Sequence, residues 1–83
     1  MSNEKSLQDA KVKIGSKQTL KMVEQGFATE VYVALDADTK LLNKIVSLCR
    51  KRNIKLIEIS SMVELGKMCG IEVGAAMAAI VEE

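Results

Sequence analysis

Short apolar runs alternate with stretches of helical periodicity along the chain, and this alternation constrains the fold most. Four runs have the length and composition of strands, at residues 11–14, 30–35, 54–59 and 75–81. The first alternates lysine with aliphatic residues, as a half-buried strand does. The last is rich in alanine, which also suits a helix, but its length and its position after a loop favour a buried central strand.

The segments between these runs carry helix signals. A short first helix is predicted over residues 3–10 and the longest one over residues 40–52, where a broad apolar stripe recurs. Ser61 and Glu64 fit a capping box, so a third helix begins at Met62. Strands alternating with helices predict an α/β fold, a three-layer α-β-α sandwich with a four-stranded mixed sheet. The 83 residues suffice for one domain, residues 1–83.

A further helix is bounded by two glycines, Gly15 and Gly26. Gly15 permits an unusual turn, Ser16 is expected to cap the first free N–H groups, and Gly26 suits a left-handed C-terminal position. The spacing of Leu20, Val23 and Phe27 predicts that these three side chains share the buried side of this helix.

Polar groups converge on the beginning of the same helix. Lys17 and Lys21 are four residues apart, and Gln18 adds an amide that both donates and accepts hydrogen bonds. Lys13, in the preceding strand, points away from the core beside them. Together with the positive end of the helix dipole, these groups suit a polyanion. The alternative is an ordinary amphipathic helix with a solvated basic face.

The formal net charge is only +1, but the charges are segregated. Residues 11–21 contain four lysines and no acid, and residues 40–55 contain six basic residues and no acid. In the second stretch, residues 50–52 place cations at the negative pole of a helix dipole, which explains them without a second nucleic-acid site. Segregation of this kind can create a local positive field on a nearly neutral protein.

The composition excludes several functions. Without histidine, the Ser–His and Cys–His arrangements of hydrolytic enzymes are impossible, so we expect neither catalysis nor a small-molecule substrate. Cys49 and Cys69 are too few for a Cys-only zinc site and are expected to be reduced and buried, so no metal and no cofactor are predicted. Asp36 and Asp38 fit turn and cap positions. No apolar run reaches membrane-spanning length and no signal segment is present, which predicts a cytoplasmic protein without membrane contact.

Two further features bear on nucleic-acid recognition. Tyr32 and Phe27 fall on positions predicted to be buried, which disfavours recognition by exposed aromatic stacking. The loop between Gly70 and Gly74 carries Ile71, Glu72 and Val73, two of which are apolar residues expected to be exposed. This loop either closes the edge of the core or holds an unstacked base.

Three blocks of sequence resemble those of a known family. They are residues 15–21 (GSKQTLK), 33–38 (VALDAD) and 65–76 (LGKMCGIEVGAA). In order and spacing they are similar to the kink-turn RNA-binding proteins of the large-subunit ribosomal protein 7Ae family, in its small bacterial branch. The resemblance covers essentially all 83 residues. It implies an α-β-α sandwich and a non-enzymatic, cytoplasmic, monomeric protein that binds structured RNA.

The resemblance also implies roles for particular residues. The helix after the first glycine reads the tandem sheared G·A pairs of a kink-turn in that family, and the later loop covers a flipped-out nucleotide. The implied contacts are Lys13, Gly15, Ser16, Lys17, Gln18, Lys21, Ile71, Glu72 and Val73. Archaeal and eukaryotic members carry Asn-Glu where this chain has Lys17-Gln18.

The expected partner is a kink-turn in ribosomal RNA, a riboswitch or a ribonuclease RNA, with ribosome or riboswitch association. Some members of the same fold are regulatory adaptors that do not bind RNA. The alternative function is therefore a protein-interaction or adaptor module.

Overall fold

The computed structural model describes residues 11–81. The helix predicted over residues 3–10 lies outside this part of the chain. The order of elements is β1 (Val12–Ile14), α1 (Ser16–Gln25), β2 (Ala28–Ala34), α2 (Thr39–Arg52), β3 (Lys55–Ile59), α3 (Met62–Cys69) and β4 (Met77–Val81). The predicted alternation of strands and helices is confirmed throughout the described residues.

The four strands form one mixed sheet in the order β1-β4-β2-β3. β4 pairs antiparallel with both β1 and β2, and β2 pairs parallel with β3 across the α2 crossover. The alanine-rich run is therefore a strand, as predicted, and it lies inside the sheet. Its residues Met77, Ala78 and Ala79 are completely buried. Small side chains suit this strand because it is covered on both faces.

Alternate residues of the central strands divide the core between two faces. On one face Val33 and Ala79 pack with Val23 of α1 and Ile45 of α2. On the other face residues 34 and 78, both alanine, pack with Leu65 of α3. Successive strand residues point to opposite sides, so the period of two distributes the core in this way. The predicted layers of helix, sheet and helix are confirmed.

Local capping signals set the ends of the helices. The Glu64 backbone N–H donates to Ser61 Oγ over 3.1 Å, which confirms the predicted capping box at the start of α3. Gly26 adopts the predicted left-handed conformation after α1, and Gly70 has the same conformation after α3. Asn53 ends α2 in the same conformation, with φ of 58°. Asparagine is among the few non-glycine residues that tolerate this region.

The two cysteines lie in different halves of the core. Cys49 packs on the face covered by α1 and α2, and Cys69 on the face covered by α3. Both are free and buried, as predicted, and burial raises the pKa of each thiol. A raised pKa keeps the thiols protonated and poorly nucleophilic, so they act as small apolar side chains.

The buried side of α1 differs from the prediction. Thr19 and Val23, one turn apart, are fully buried, whereas Leu20 is only partly buried and Phe27 is 49% exposed. The helical period does not reach Phe27, because Gly26 leaves the helix in a left-handed conformation one residue earlier. The prediction that Phe27 is buried was therefore wrong, and Thr19 takes the core position instead.

The Thr19 hydroxyl generates a prediction about stability. Its Oγ1 is buried and has no hydrogen-bond partner among the described residues. Thr19→Val keeps the shape and removes the unpaired polar atom, so we expect the free energy of unfolding to rise by about 1 kcal/mol. Thr19→Ser, which keeps the hydroxyl and loses the methyl group, should lower it. Urea unfolding of both variants checks this, and a destabilised Thr19→Val would show that the hydroxyl has a partner.

Candidate nucleic-acid interface

All three described helices begin at the same end of the sheet. β1, β2 and β3 run in one direction, and each is followed directly by α1, α2 or α3. We call the end where these three strands finish the site end, and the end where they begin the far end. Three helix N-termini with their positive dipole ends therefore lie at the site end. Ligands of parallel α/β folds commonly bind at this end of the strands.

Side chains of the protein itself occupy two of these N-termini. Asp38 Oδ1 accepts a hydrogen bond of 2.8 Å from the Lys40 N–H at the start of α2. At the start of α3, Ser61 caps the Glu64 N–H, and Asp36 Oδ1 accepts from the Met62 N–H over 2.8 Å. The predicted turn and cap roles of Asp36 and Asp38 are confirmed. Asp36 also ties the β2–α2 loop to α3.

Within residues 11–81, no side chain caps the N-terminus of α1. The prediction that Ser16 caps this helix was wrong, because Ser16 is its first helical residue and Gly15 holds the N-cap position. Gly15 has φ of 105°, which favours glycine, and it has no side chain to cap with. Helical geometry leaves the N–H groups of Ser16, Lys17 and Gln18 without intrahelical acceptors. These three donors are available to an external acceptor.

Backbone hydrogen bonds hold this helix start in place. The Gly15 N–H donates to the Met77 carbonyl oxygen of β4 over 2.9 Å, and the Thr19 N–H donates to the Gly15 carbonyl oxygen over 2.9 Å. The first turn of α1 is thereby fixed to the central strand of the sheet. Its free donors are presented by a rigid part of the fold.

The predicted polar side chains surround these donors. Lys17, Gln18 and Lys21 are exposed on α1, and its first turn contains no acidic residue. Lys13 is exposed on β1 opposite Ala79, which belongs to the core face that α1 covers. The site end of β1 and the start of α1 thus carry three cations and one amide. We call this group of side chains, with Gly15 and Ser16, the α1 tip.

The loop between α3 and β4 returns to the same end of the sheet. The Ile71 N–H donates to the Gly66 carbonyl oxygen, and the Ala75 N–H donates to the Met62 carbonyl oxygen, each over 3.0 Å. The loop therefore runs back along α3 from its end to its beginning. It leads directly into Met77, the residue that accepts from Gly15. The predicted loop and the α1 tip are brought together through β4.

The two apolar residues of this loop differ in exposure. Val73 is 69% exposed, as predicted. Ile71 is half-buried and packs on the Leu65 cluster, so the prediction that it is exposed was wrong. The backbone bond to Gly66 directs it inward. With Glu72, these residues and Val63 of α3 line a shallow cavity of about 290 Å³.

Further apolar side chains at the site end were not singled out from the sequence. Leu35 is 52% exposed and Val63 is 60% exposed. Leu35 ends a continuous apolar run that predicts a buried strand over residues 30–35, but β2 ends at Ala34. Val63 lies four residues before Lys67 in the sequence of α3. This spacing puts the two residues on the same side of the helix, so the exposed lysine indicates that Val63 is also exposed.

The two aromatic residues lie away from the α1 tip. Tyr32 is half-buried in β2, where burial and the nearby Glu30 carboxylate raise the pKa of its hydroxyl. Phe27 precedes β2 and so lies at the far end. Because Phe27 is exposed, its predicted burial is no longer an argument against stacking of a base on its ring. The ring nevertheless lies at the far end and not at the site end.

Neither a metal-binding group nor a membrane-spanning helix is found in the described residues. Between residues 11 and 81 no group of His, Cys, Asp and Glu side chains is arranged to hold a metal ion. Over the same residues, none of the helices combines the length and the apolar character needed to cross a membrane.

Comparison with known proteins identifies the family. A profile of the ribosomal protein L7Ae/L30e/S12e/Gadd45 family matches residues 2–83. The chain belongs to this family. It is similar to the RNA-binding protein YbxF of Geobacillus stearothermophilus, with 46% identity over 96% of this chain and 98% of that protein. It is 45% identical to an RNA-binding protein of Geobacillus thermodenitrificans over the same shares of the two chains.

Solved structures of other proteins share the fold. A 15.5 kD RNA-binding protein of Giardia lamblia superposes with a TM-score of 0.81 at 28% identity, over 88% of this chain and 62% of that one. The chain thus spans less than two thirds of the Giardia protein. A Bacillus halodurans protein of unknown function has a TM-score of 0.79 at 21% identity, over 87% of this chain and 72% of its own, which supports the fold alone. The family and the names of its members confirm the prediction of a non-enzymatic protein.

The packing of the loop against α3 generates a prediction. A Cβ added at Gly66 would collide with the Val73 carbonyl oxygen, whereas one at Gly74 would meet the Met62 Cβ at 3.1 Å. Alanine is favoured in helices, yet we expect Gly66→Ala to lower the free energy of unfolding by about 1–3 kcal/mol because the loop must move. Gly74→Ala should cost less. Chemical denaturation and the NMR shifts of the loop amides measure both effects, and a stabilised Gly66→Ala would contradict this packing.

Proposed function

We propose that this protein recognises and stabilises kink-turn motifs in structured RNA through the α1 tip. One observation carries the proposal. Among the described helices, α1 alone lacks a side-chain cap, and its free N–H groups lie among Lys13, Lys17, Gln18 and Lys21. The names of relatives about 45% identical over nearly the whole chain support RNA as the ligand.

The chemistry of the tip suits an RNA backbone and base edges together. Phosphate oxygens accept from helix N-terminal N–H groups and are attracted by lysine ammonium groups. Gln18 offers both a donor and an acceptor to a base edge. A-form RNA has a major groove that side chains cannot enter, and a kink opens it. A helix tip of this kind therefore fits the tandem G·A pairs of a kink-turn better than a regular RNA duplex.

The loop provides a second contact within the same proposal. Val73 is exposed at the edge of the shallow cavity, and Ile71 supports it from the core. A nucleotide flipped out of the kink would stack its apolar face there while the α1 tip holds the adjacent phosphates. In this proposal Glu72 lies beside the nucleotide, and Ile71 acts chiefly by positioning Val73.

The proposed setting follows from the ligand. Kink-turns occur in ribosomal RNA, riboswitches and ribonuclease RNA, so the protein acts as a cytoplasmic monomer on one or more of these RNAs. An electrophoretic shift with one kink-turn RNA tests the proposal directly. Binding should weaken strongly when the tandem G·A pairs are replaced by Watson–Crick pairs, and equal binding to both RNAs would overturn it.

A second candidate function is a protein-interaction or adaptor module. Leu35, Val63 and Val73 are all more than half exposed near the site end, and exposed apolar side chains also suit a protein partner. The uncapped, cationic α1 tip favours RNA over this alternative. The G·A replacement separates the two functions, because an adaptor would show no dependence on these base pairs.

Lys21 and Gln18 should affect binding in different ways. Lys21, one turn inside α1, is expected to meet a phosphate, so Lys21→Ala should weaken all structured RNAs similarly and reduce the salt slope by roughly 0.7–0.9. Gln18→Ala should leave the slope unchanged and erode the preference for G·A pairs by about 1–3 kcal/mol. Both residues are exposed, so stability should change by less than about 0.5 kcal/mol.

Matched controls for these variants lie on other parts of the helices. Gln25→Ala removes an exposed amide at the opposite end of α1, and Lys44→Ala removes an exposed ammonium from α2. Neither should change kink-turn affinity when binding is measured by fluorescence anisotropy over a range of salt concentrations. A Gln18→Ala variant with the wild-type ratio of affinities would show that Gln18 does not read the bases.

Substitutions at Val73 and Ile71 should distinguish a residue that contacts the RNA from one that supports the loop from the core. Val73→Asp changes a residue that is 69% exposed, so it should weaken kink-turn binding at least about tenfold while the protein stays folded. Ile71→Asp buries a charge beside the Leu65 cluster and should lower the melting temperature as well. Calorimetry and anisotropy on both variants measure this, and unchanged RNA affinity in folded Val73→Asp would remove the loop from the interface.

A further inference from the structure

The hydrogen bond between Asp36 and Met62 joins two distant parts of the chain at the site end. Asp36 Oδ1 accepts from the Met62 N–H over 2.8 Å, across 26 residues of sequence. The start of α3 also has a local cap, because Ser61 Oγ accepts from the Glu64 N–H. The bond to Asp36 satisfies another free N–H group of this helix. Because its acceptor comes from the β2–α2 loop, it also fixes where α3 begins relative to the end of β2.

The backbone that carries Asp36 is itself held at the end of the sheet. The Leu35 N–H donates to the Ile59 carbonyl oxygen of β3 over 2.8 Å. The Ala37 N–H donates to the Ala34 carbonyl oxygen over 3.1 Å, which closes a turn around Asp36. Ala34 and Ala37 are both buried in the core. The Asp36 carboxylate is thus presented from a fixed point.

Met62 in turn supports the end of the loop between α3 and β4. Its carbonyl oxygen accepts from the Ala75 N–H over 3.0 Å. Gly74 packs directly on Met62, since a Cβ added at Gly74 would lie 3.1 Å from the Met62 Cβ. The residue that Asp36 holds is therefore the residue on which the loop ends. Val73 immediately precedes this contact.

The rest of α3 is held by contacts that do not involve Asp36. Leu65 and Gly66 are buried, and the Ile71 N–H donates to the Gly66 carbonyl oxygen. Loss of the bond to Asp36 should therefore leave the helix in place. It should release only the first residue of α3 and the loop contacts that this residue makes, so the exposed side chain of Val73 would lose its fixed position.

We propose that Asp36 is a positioning residue of the interface, which sets the conformation of the loop around Val73 through Met62. This inference rests on the proposed function, in which Val73 contacts the RNA. Asp36 itself contacts no nucleotide and acts through the two contacts between Met62 and the end of the loop. Its hydrogen-bond acceptor matters and its negative charge does not, because the Met62 N–H is neutral.

Amide hydrogen exchange in the RNA-free protein tests the positioning itself. Asp36→Ala should speed the exchange of the Ala75 N–H about threefold or more, because its acceptor residue is no longer held. Asp36→Asn keeps Oδ1 as an acceptor and should exchange like the wild type. Ser61→Ala removes a cap from the same helix end and leaves the bond to Met62 intact, so it is the matched control and should affect Ala75 less. Unchanged exchange at Ala75 in Asp36→Ala, or an equal increase in Ser61→Ala, would overturn the proposal.

A double-mutant cycle on a kink-turn RNA tests whether this positioning reaches the interface. Asp36→Ala should weaken binding about threefold or more, whereas Asp36→Asn should not weaken it. In a Val73→Ala background, which lacks most of the loop contact, Asp36→Ala should cost little further affinity. Equal losses in the two backgrounds would show that Asp36 does not act through Val73 and would overturn the proposal. Failure of the wild type to bind this RNA would instead overturn the proposed function, and the exchange at Ala75 would still decide whether Asp36 positions the loop.

Discussion

The insertion of β4 between β1 and β2 is the constraint on which the rest of the structure depends. Pairing on both edges buries Met77, Ala78 and Ala79 completely and joins the first strand to the others. The backbone just before and at the start of β4 accepts hydrogen bonds from Ala34 at the end of β2 and from Gly15 at the start of α1. One strand thereby fixes the positions of the α1 tip and of the loop that precedes it.

The capping pattern divides the three helix starts into two kinds. Asp38, Ser61 and Asp36 satisfy N–H groups of α2 and α3, and such caps contribute roughly 0.5–2 kcal/mol each. The start of α1 lacks this stabilisation, because glycine occupies the N-cap position. The absence of a cap is consistent with a binding site in which the first N–H groups of α1 donate to an external acceptor. Under the proposed function that acceptor is RNA, and the surrounding lysines add to its attraction.

Local patterns were sufficient to predict most of the fold and the exposed polar side chains at the start of α1. The period of two in the strands, the Ser61 capping box and the glycines that end α1 and α3 act over a few residues. The prediction failed where a neighbouring element decides the outcome. The predicted N-cap position of α1 was wrong by one residue, because Gly15 is the N-cap and Ser16 is the first helical residue. Phe27 and Ile71 were misplaced because a left-handed glycine and a bond to Gly66 redirect them.

The most direct test of this account is an NMR titration of the protein with a kink-turn RNA, observed at the backbone amides. The account predicts the largest shifts at Ser16, Lys17 and Gln18, whose N–H groups lack acceptors. The capped amides of Lys40 and Glu64 should change little, because Asp38 and Ser61 already bind them. Large shifts at these capped amides, with none at the first three residues of α1, would contradict the central claim that the uncapped helix start receives the RNA.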